Sequence, residues 1–168
     1  ADCPNLESLD LHWDAYSSEE PDPQIAEVID ILQQYGRKLR RLSISSRSLQ
    51  DQDLLRLRSQ HFPDLQQLDL SRCGDLSYIG IEHMIREFPR IDHLNLETVV
   101  SSQNAGVNAV AHATGAGLPD LRWQSLSKCH HVQDDGVAAI ARGCPQLRLI
   151  YLGENRELTD AALRALGD

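Results

Sequence analysis

The chain has 168 residues, 41% of them hydrophobic and only 5% aromatic, so its core must come from many aliphatic groups of similar size and not from a few large rings. Sixteen basic side chains stand against 25 acidic ones, and the formal net charge of −9 opposes unspecific adhesion to nucleic-acid backbones and anionic membranes. No run approaches the roughly 18 apolar residues of a membrane span, and the opening ADCPNLESLD lacks the basic-then-apolar layout of an export signal.

One pattern recurs along the chain. Residues 62–74, FPDLQQLDLSRCG, set Leu65, Leu68, Leu70 and Cys73 at the spacing L-x-x-L-x-L-x-x-C, which buries one face of a short strand. Equivalent first positions are Leu6, Leu39, Leu65, Ile91, Leu121 and Leu147, separated by 33, 26, 26, 30 and 26 residues. Periods of this length belong to stacked supersecondary units, each of which buries its apolar face against its neighbours. Residues 1–168 are therefore expected to form a single domain of about six repeats. The chain opens on a repeat already in progress and reads as a piece of a longer solenoid.

The first repeat, CPNLESLDL (3–11), turns at Pro4 into a strand expected over Ser8–His12. From the last strand leucine to the first apolar helix residue the count is 11 for Leu70 to Ile81, Leu126 to Val137 and Leu152 to Leu163, but 18 for Leu11 to Ile29. The seven extra residues fall within HWDAYSSEEPDPQ (12–24), an acidic, proline-containing loop expected to be either a recognition element or disordered. A helix is expected over 24–35, with Ile25, Val28, Ile29 and Leu32 on one face.

Repeat two, GRKLRRLSI (36–44), is expected to have Arg47 in the place of Cys73 and a helix over 51–60. Its basic run, Arg37, Lys38, Arg40 and Arg41, reads as a solvated rim from which only Arg41 reaches the strand face. Repeat three predicts a helix near 78–87. Repeat four, FPRIDHLNL (88–96), has Val99 in the cysteine position, and its four extra residues are assigned to a helix exit at HATGAG (112–117), where Gly115 and Gly117 permit positive φ. In repeat five, LPDLRWQSLSKC (118–129), parity puts Gln124 where a leucine is expected, so it is either buried with partners or turned outward by a bulge. Repeat six, CPQLRLIYLGEN (144–155), has Asn155 in the cysteine position and a helix expected over 158–166, capped by Thr159 or Asp160.

Cys73 and Cys129, the helix openings Asp134-Asp135-Gly136-Val137 and Asp160-Ala161-Ala162-Leu163, and Cys144-Pro145 before the last strand resemble the cysteine-containing class of leucine-rich repeat. The resemblance implies an α/β fold, a right-handed leucine-rich-repeat solenoid with a curved parallel sheet inside and helices outside. Members of the class in F-box proteins act as substrate receptors of cullin-RING ubiquitin ligases. It therefore implies an intracellular protein–protein interaction module, cytoplasmic or nuclear, serving as the substrate-recognition part of such a receptor. A ubiquitin-ligase adaptor would be engaged through a region outside this chain. The alternative is a scaffold subunit of a large assembly without a ubiquitin role.

All four cysteines, Cys3, Cys73, Cys129 and Cys144, are expected to be packed, reduced thiols. Cys129, His130, His131 and Cys144 invite comparison with a zinc site, but no C-x2-C or H-x3-5-H pairing accompanies them. No metal site, cofactor or catalytic residue is expected.

Strand residues between the leucines point to the opposite, concave face. Stacking the repeats writes three rows there. The first is Ser8, Arg41, Gln67, His93, Trp123, Leu149; the second Asp10, Ser43, Asp69, Asn95, Ser125, Tyr151; the third His12, Ser45, Ser71, Glu97, Ser127, Gly153. Trp123, Leu149 and Tyr151 make an apolar group on neighbouring strands, the side-chain type that anchors protein interfaces. A protein partner is expected on this face, centred on those three, flanked by His93, Asn95 and Glu97, with Asp69 and Arg41 further along the rows; the alternative is that further C-terminal repeats or a capping segment cover the apolar group.

Overall fold

The computed structural model describes residue 3 and residues 5–13, 25–74, 76–99 and 107–167. The acidic loop expected before residue 25 lies, beyond Trp13, outside the described residues. Six short strands, β1 (Ser8–His12), β2 (Arg41–Ser45), β3 (Gln67–Asp69), β4 (His93–Asn95), β5 (Trp123–Ser125) and β6 (Leu149–Tyr151), pair in chain order as one parallel sheet. Between and after them come helices α1 (Ile25–Tyr35), α2 (Asp51–Leu54), α3 (Tyr78–Glu87), α4 (Val107–Gly117), α5 (Asp134–Gly143) and α6 (Asp160–Gly167). This is a leucine-rich-repeat solenoid, an α/β fold with a parallel sheet and outer helices.

The pairing is in register through every repeat, so that Leu9, Leu42, Leu68, Leu94, Gln124 and Ile150 form one inward row. Leu42, Leu68 and Leu94 are buried, as are Ile29, Ile81 and Val137 from the helices. Each such side chain contributes about 1.5–3 kcal/mol by leaving water, which is why the leucine spacing decides the fold.

The strand exits are built alike. Arg72, Thr98, Lys128 and Glu154 all have left-handed φ, between 58° and 64°, one residue before Cys73, Val99, Cys129 and Asn155. That turn drives the following side chain inward. The Cys73 thiol donates to the Ile44 carbonyl at 3.2 Å, Cys129 to Leu96 at 3.2 Å, and the Asn155 amide to Leu126 at 2.9 Å. Cysteine and asparagine thus do the same work, joining the exit of one repeat to the strand end of the repeat before, whereas Val99 only fills the space. Burial pushes the Cys73, Cys129 and Cys144 thiols up from an ordinary 9.0 to about 11.

Four sequence expectations need correction. Arg47 does not occupy the ladder: it is exposed, and Ser46 is buried in its place. Repeat two is one residue shorter between Ile44 and Leu49 than repeat three between Leu70 and Leu76, and it lacks the left-handed residue. The helix expected over 51–60 ends at Leu54, because i to i−3 bonds from Arg56 to Asp53 and from Leu57 to Leu54 tighten the chain and bury Leu54 and Leu57 three residues apart. A 3-10 turn over Ser59–His61 follows.

Residues 112–117 are not a helix exit but the last turns of α4, and no described glycine has positive φ. Gly115 is required by proximity: a Cβ there would lie 2.2 Å from the Ala139 carbonyl oxygen, and one on Gly143 would lie 1.5 Å from that of Gly115. The backbones of α4 and α5 touch at these two positions. Finally, Cys3 is exposed and not packed, unlike the other three cysteines.

Candidate functional site

The strand register puts the side chains of the first concave row next to one another, Arg41 beside Gln67, Gln67 beside His93, His93 beside Trp123, and Trp123 beside Leu149. Trp123 is half-buried. Its ring stacks on His93, with centroids 6.2 Å apart and planes inclined by 18°, and meets Tyr151 at 5.7 Å on the other side. Leu149 and Tyr151 remain 43% and 48% exposed. The apolar group expected from the rows is therefore present and open to solvent in this chain.

A pocket opens beside Trp123, lined by Arg41, Gln67, Asp69, His93 and Asn95. Five of the eight residues expected to bind a partner share this pocket, namely Arg41, Asp69, His93, Asn95 and Trp123. Leu149 and Tyr151 lie on the next strand, outside the lining of this pocket. Glu97 stands apart at the strand exit, where it pairs with Lys128 Nζ at 3.0 Å; the hydrogen bond and charge of Glu97 hold that ammonium above its usual range.

Several polar groups are already engaged. Asp69 accepts from the Ser71 amide at 2.9 Å and from Asn95 Nδ2 at 2.9 Å, while Asn95 Oδ1 accepts from the Glu97 amide at 3.1 Å. These bonds shape the strand exits and fix the pocket floor. His93 Nδ1 lies 2.6 Å from Asp92 Oδ1, which holds the imidazole against Trp123. Arg41 forms no ion pair or hydrogen bond through its guanidinium among the described residues, leaving its donors to face the pocket. Sequence parity does not single out Gln67 or Asp92. Gln67 stood in the first row without a distinguishing chemistry, and only the neighbouring His93 reveals the role of Asp92.

Gln124 is fully buried, with no bulge to turn it outward, and its Nε2 reaches Thr114 Oγ1 at 3.4 Å. The residues that suggested zinc diverge. Cys129 bonds to Leu96, His130 to the Glu154 carbonyl, His131 to Glu157, and Cys144 to Thr114. Among the described residues no group of three or more His, Cys, Asp or Glu side chains is arranged to hold a metal ion, and no helix is long and apolar enough to cross a membrane.

No protein-family model matches the chain. It is 26% identical over 177 residues to F-box/LRR-repeat protein 4 of Bos taurus, an alignment covering 91% of this chain and 28% of that protein. Against the antagonist of mitotic exit network protein 1 of Eremothecium gossypii it is 30% identical over 129 residues, covering 76% of this chain and 32% of that protein. The Saccharomyces cerevisiae protein of the same name is 26% identical over 114 residues, covering 62% and 21%. The chain thus spans about a third or less of the curated relatives it matches. Among solved structures, that of the yeast Rad7 and Elc1 complex superposes with a TM-score of 0.62 at 19% identity, over 82% of this chain and 37% of the matched one. The chain has the leucine-rich-repeat fold and is similar along most of its length to an F-box/LRR-repeat protein.

Proposed function

We propose that the chain is a protein-recognition module whose open strand face, centred on Trp123, Leu149 and Tyr151, binds a protein partner, and that it serves as the substrate-recognition part of an F-box type ubiquitin-ligase receptor. The observation that carries this reading is the exposed apolar group itself. Trp123 and Tyr151 contact each other and Leu149 lies beside them in register, on a sheet face otherwise lined by polar side chains. Desolvating such rings is a large source of interface energy, and His93, backed by Asp92, holds the Trp123 ring in place before binding. The similarity to an F-box/LRR-repeat protein supports the ligase assignment. The three buried, unpaired thiols fit a reducing, intracellular setting, cytoplasmic or nuclear.

The test is affinity purification of the full-length protein in native form and with Trp123→Ala and Tyr151→Ala together. The proposal expects ubiquitin-ligase adaptors in both preparations and a set of partners lost only from the double variant. Partners lost from the variant without any ligase adaptor in either sample would leave a scaffold role in their place.

A further inference from the structure

Positive charge in this chain is carried almost entirely by arginine. Of the 16 basic side chains 14 are arginine and only Lys38 and Lys128 are lysine, although lysine is among the commonest residues of soluble domains. Ion pairing does not account for the choice. Among the described residues Arg40, Arg56, Arg58 and Arg86 pair with a carboxylate, and the remaining arginines serve as surface charge, a role that lysine fills equally well.

Both lysines are engaged. Lys38 Nζ donates to Asn5 Oδ1 at 2.6 Å. Lys128 stands between two carboxylates, 3.0 Å from Glu97 Oε1 and 3.8 Å from Glu154 Oε1. Its place in the fold matters. Basic groups flank the open strand face at the strand entrances, as Arg40, Arg122 and Arg148, and at the strand exits, where Arg72 and Lys128 share the same left-handed position of their repeats. The single amine among these five is the one clamped by two acids. The hydrogen bond and charge of Glu97 hold it protonated above its usual range.

Arginine and lysine differ most where an amine must accept an acyl group. Ubiquitin reaches a lysine from a thioester on the cysteine of a conjugating enzyme. The uncharged Nζ attacks the thioester carbonyl carbon, the C–N isopeptide bond forms as the C–S bond breaks, the sulfur leaves as thiolate, and the surplus proton on nitrogen passes to a base. A guanidinium stays protonated, with a pKa above about 12, and an ion-paired ammonium has no free electron pair, so neither attacks.

We infer that this recognition module is itself a poor ubiquitin acceptor, its arginine-for-lysine surface leaving transfer to the amines of the bound partner. The inference rests on the ubiquitin-ligase reading above and adds how receptor and substrate are told apart. A partner seated on Trp123 and Tyr151 is brought to the same thioester as the arginines beside that face, and the two proteins then differ in the amines they offer.

The experiment reconstitutes transfer with the full-length protein, the ligase subunits and partner recovered with it, a conjugating enzyme and ubiquitin, and maps the conjugation sites by mass spectrometry. Native protein is compared with the triple variant Arg72→Lys/Arg122→Lys/Arg148→Lys, which keeps the charge and should keep the folding midpoint. The expected result is equal conjugation of the partner by both proteins, with about tenfold more ubiquitin within residues 1–168 of the variant, at positions 72, 122 and 148. In cells the variant should turn over faster than native protein, and a proteasome inhibitor should remove the difference. New lysines left unmodified beside a conjugated partner would overturn the inference and leave the arginines as surface charge only. Conjugation of native Lys38 or Lys128 to the level seen on the partner would overturn it likewise. A partner left unconjugated by both proteins would instead remove the ligase reading, and the inference with it.

Discussion

Asp134, at the start of α5, accepts both the backbone N–H of Thr159 at 2.9 Å and its hydroxyl at 2.5 Å, and Thr159 in turn caps α6 through the Ala161 amide. The same device joins α2 to α3, where Asp51 accepts from the amide and hydroxyl of Ser77, which caps the helix through Ile79. One carboxylate thus fixes where the next helix begins. Because Asp134 accepts these bonds, the hydroxyl first and then the amide of Thr159, its carboxyl titrates below the ordinary 3.8. A depressed folded pKa contributes stability above the unfolded value that disappears as pH falls through the folded one. Thr159→Val should therefore be less stable than native protein at neutral pH, with the difference shrinking below about pH 4. Denaturant unfolding from pH 7 to pH 2 measures it, and a constant difference would contradict the coupling.

The thiols should divide three to one. Cys73, Cys129 and Cys144 are buried with raised pKa, and Cys3 is exposed. A disulfide-exchange reagent at neutral pH is expected to label one thiol rapidly and three only at the rate of unfolding. Substituting Cys3→Ser should abolish the rapid phase. The buried thiols also predict falling stability as pH rises past 9, since the unfolded chain then ionises and the folded one does not.

Gln124 is an unfavourable choice for the fully buried inward row. Its Oε1 accepts no hydrogen bond among the described residues, its Nε2 contact is long at 3.4 Å, and Thr114 already donates to the Val110 carbonyl at 2.9 Å. Gln124→Leu removes a desolvated amide, leaves no new orphan and restores the repeat pattern. The expected gain is about 1 kcal/mol in denaturant unfolding. A loss of that size would mean the amide makes a bond worth more than its burial costs.

The contact between α4 and α5 admits no side chain at Gly143, where a Cβ would meet the Gly115 carbonyl oxygen at 1.5 Å. Gly143→Ala must push the two helix backbones apart, at about 1–3 kcal/mol as an overpacked core does. Thermal unfolding reads this directly, and an unchanged midpoint would show the pair to be more loosely packed.

The strands, their register and the helix Tyr78–Glu87 were legible in sequence because alternation and leucine spacing report burial, and burial dominates the energy. The concave rows followed from the same parity. What failed was local. A single missing residue after Ile44 moved the ladder place from Arg47 to Ser46, and spacing alone does not say where a deletion is absorbed. Gly115 resembles a turn residue in sequence because glycine serves both positive φ and close approach, and only the neighbouring helix tells them apart. Cys3 shares its repeat position with Cys144, yet only Cys144 has a preceding described repeat to cover it. Within the site, sequence indicated which side chains face outward but not which were already satisfied. Asp69 and Asn95 are engaged with each other, whereas Arg41 is not.

Trp123 is half-buried on the strand face between His93 and Tyr151 and is not part of the inward core. Measuring both partner affinity and folding midpoint on Trp123→Ala tests this most directly, using the partner recovered by co-purification with the native protein. Affinity is expected to fall roughly thirtyfold, about 2 kcal/mol, with the midpoint nearly unmoved. Unchanged affinity together with a stability loss of about 3 kcal/mol or more would contradict it, marking the ring as core and the binding face as elsewhere.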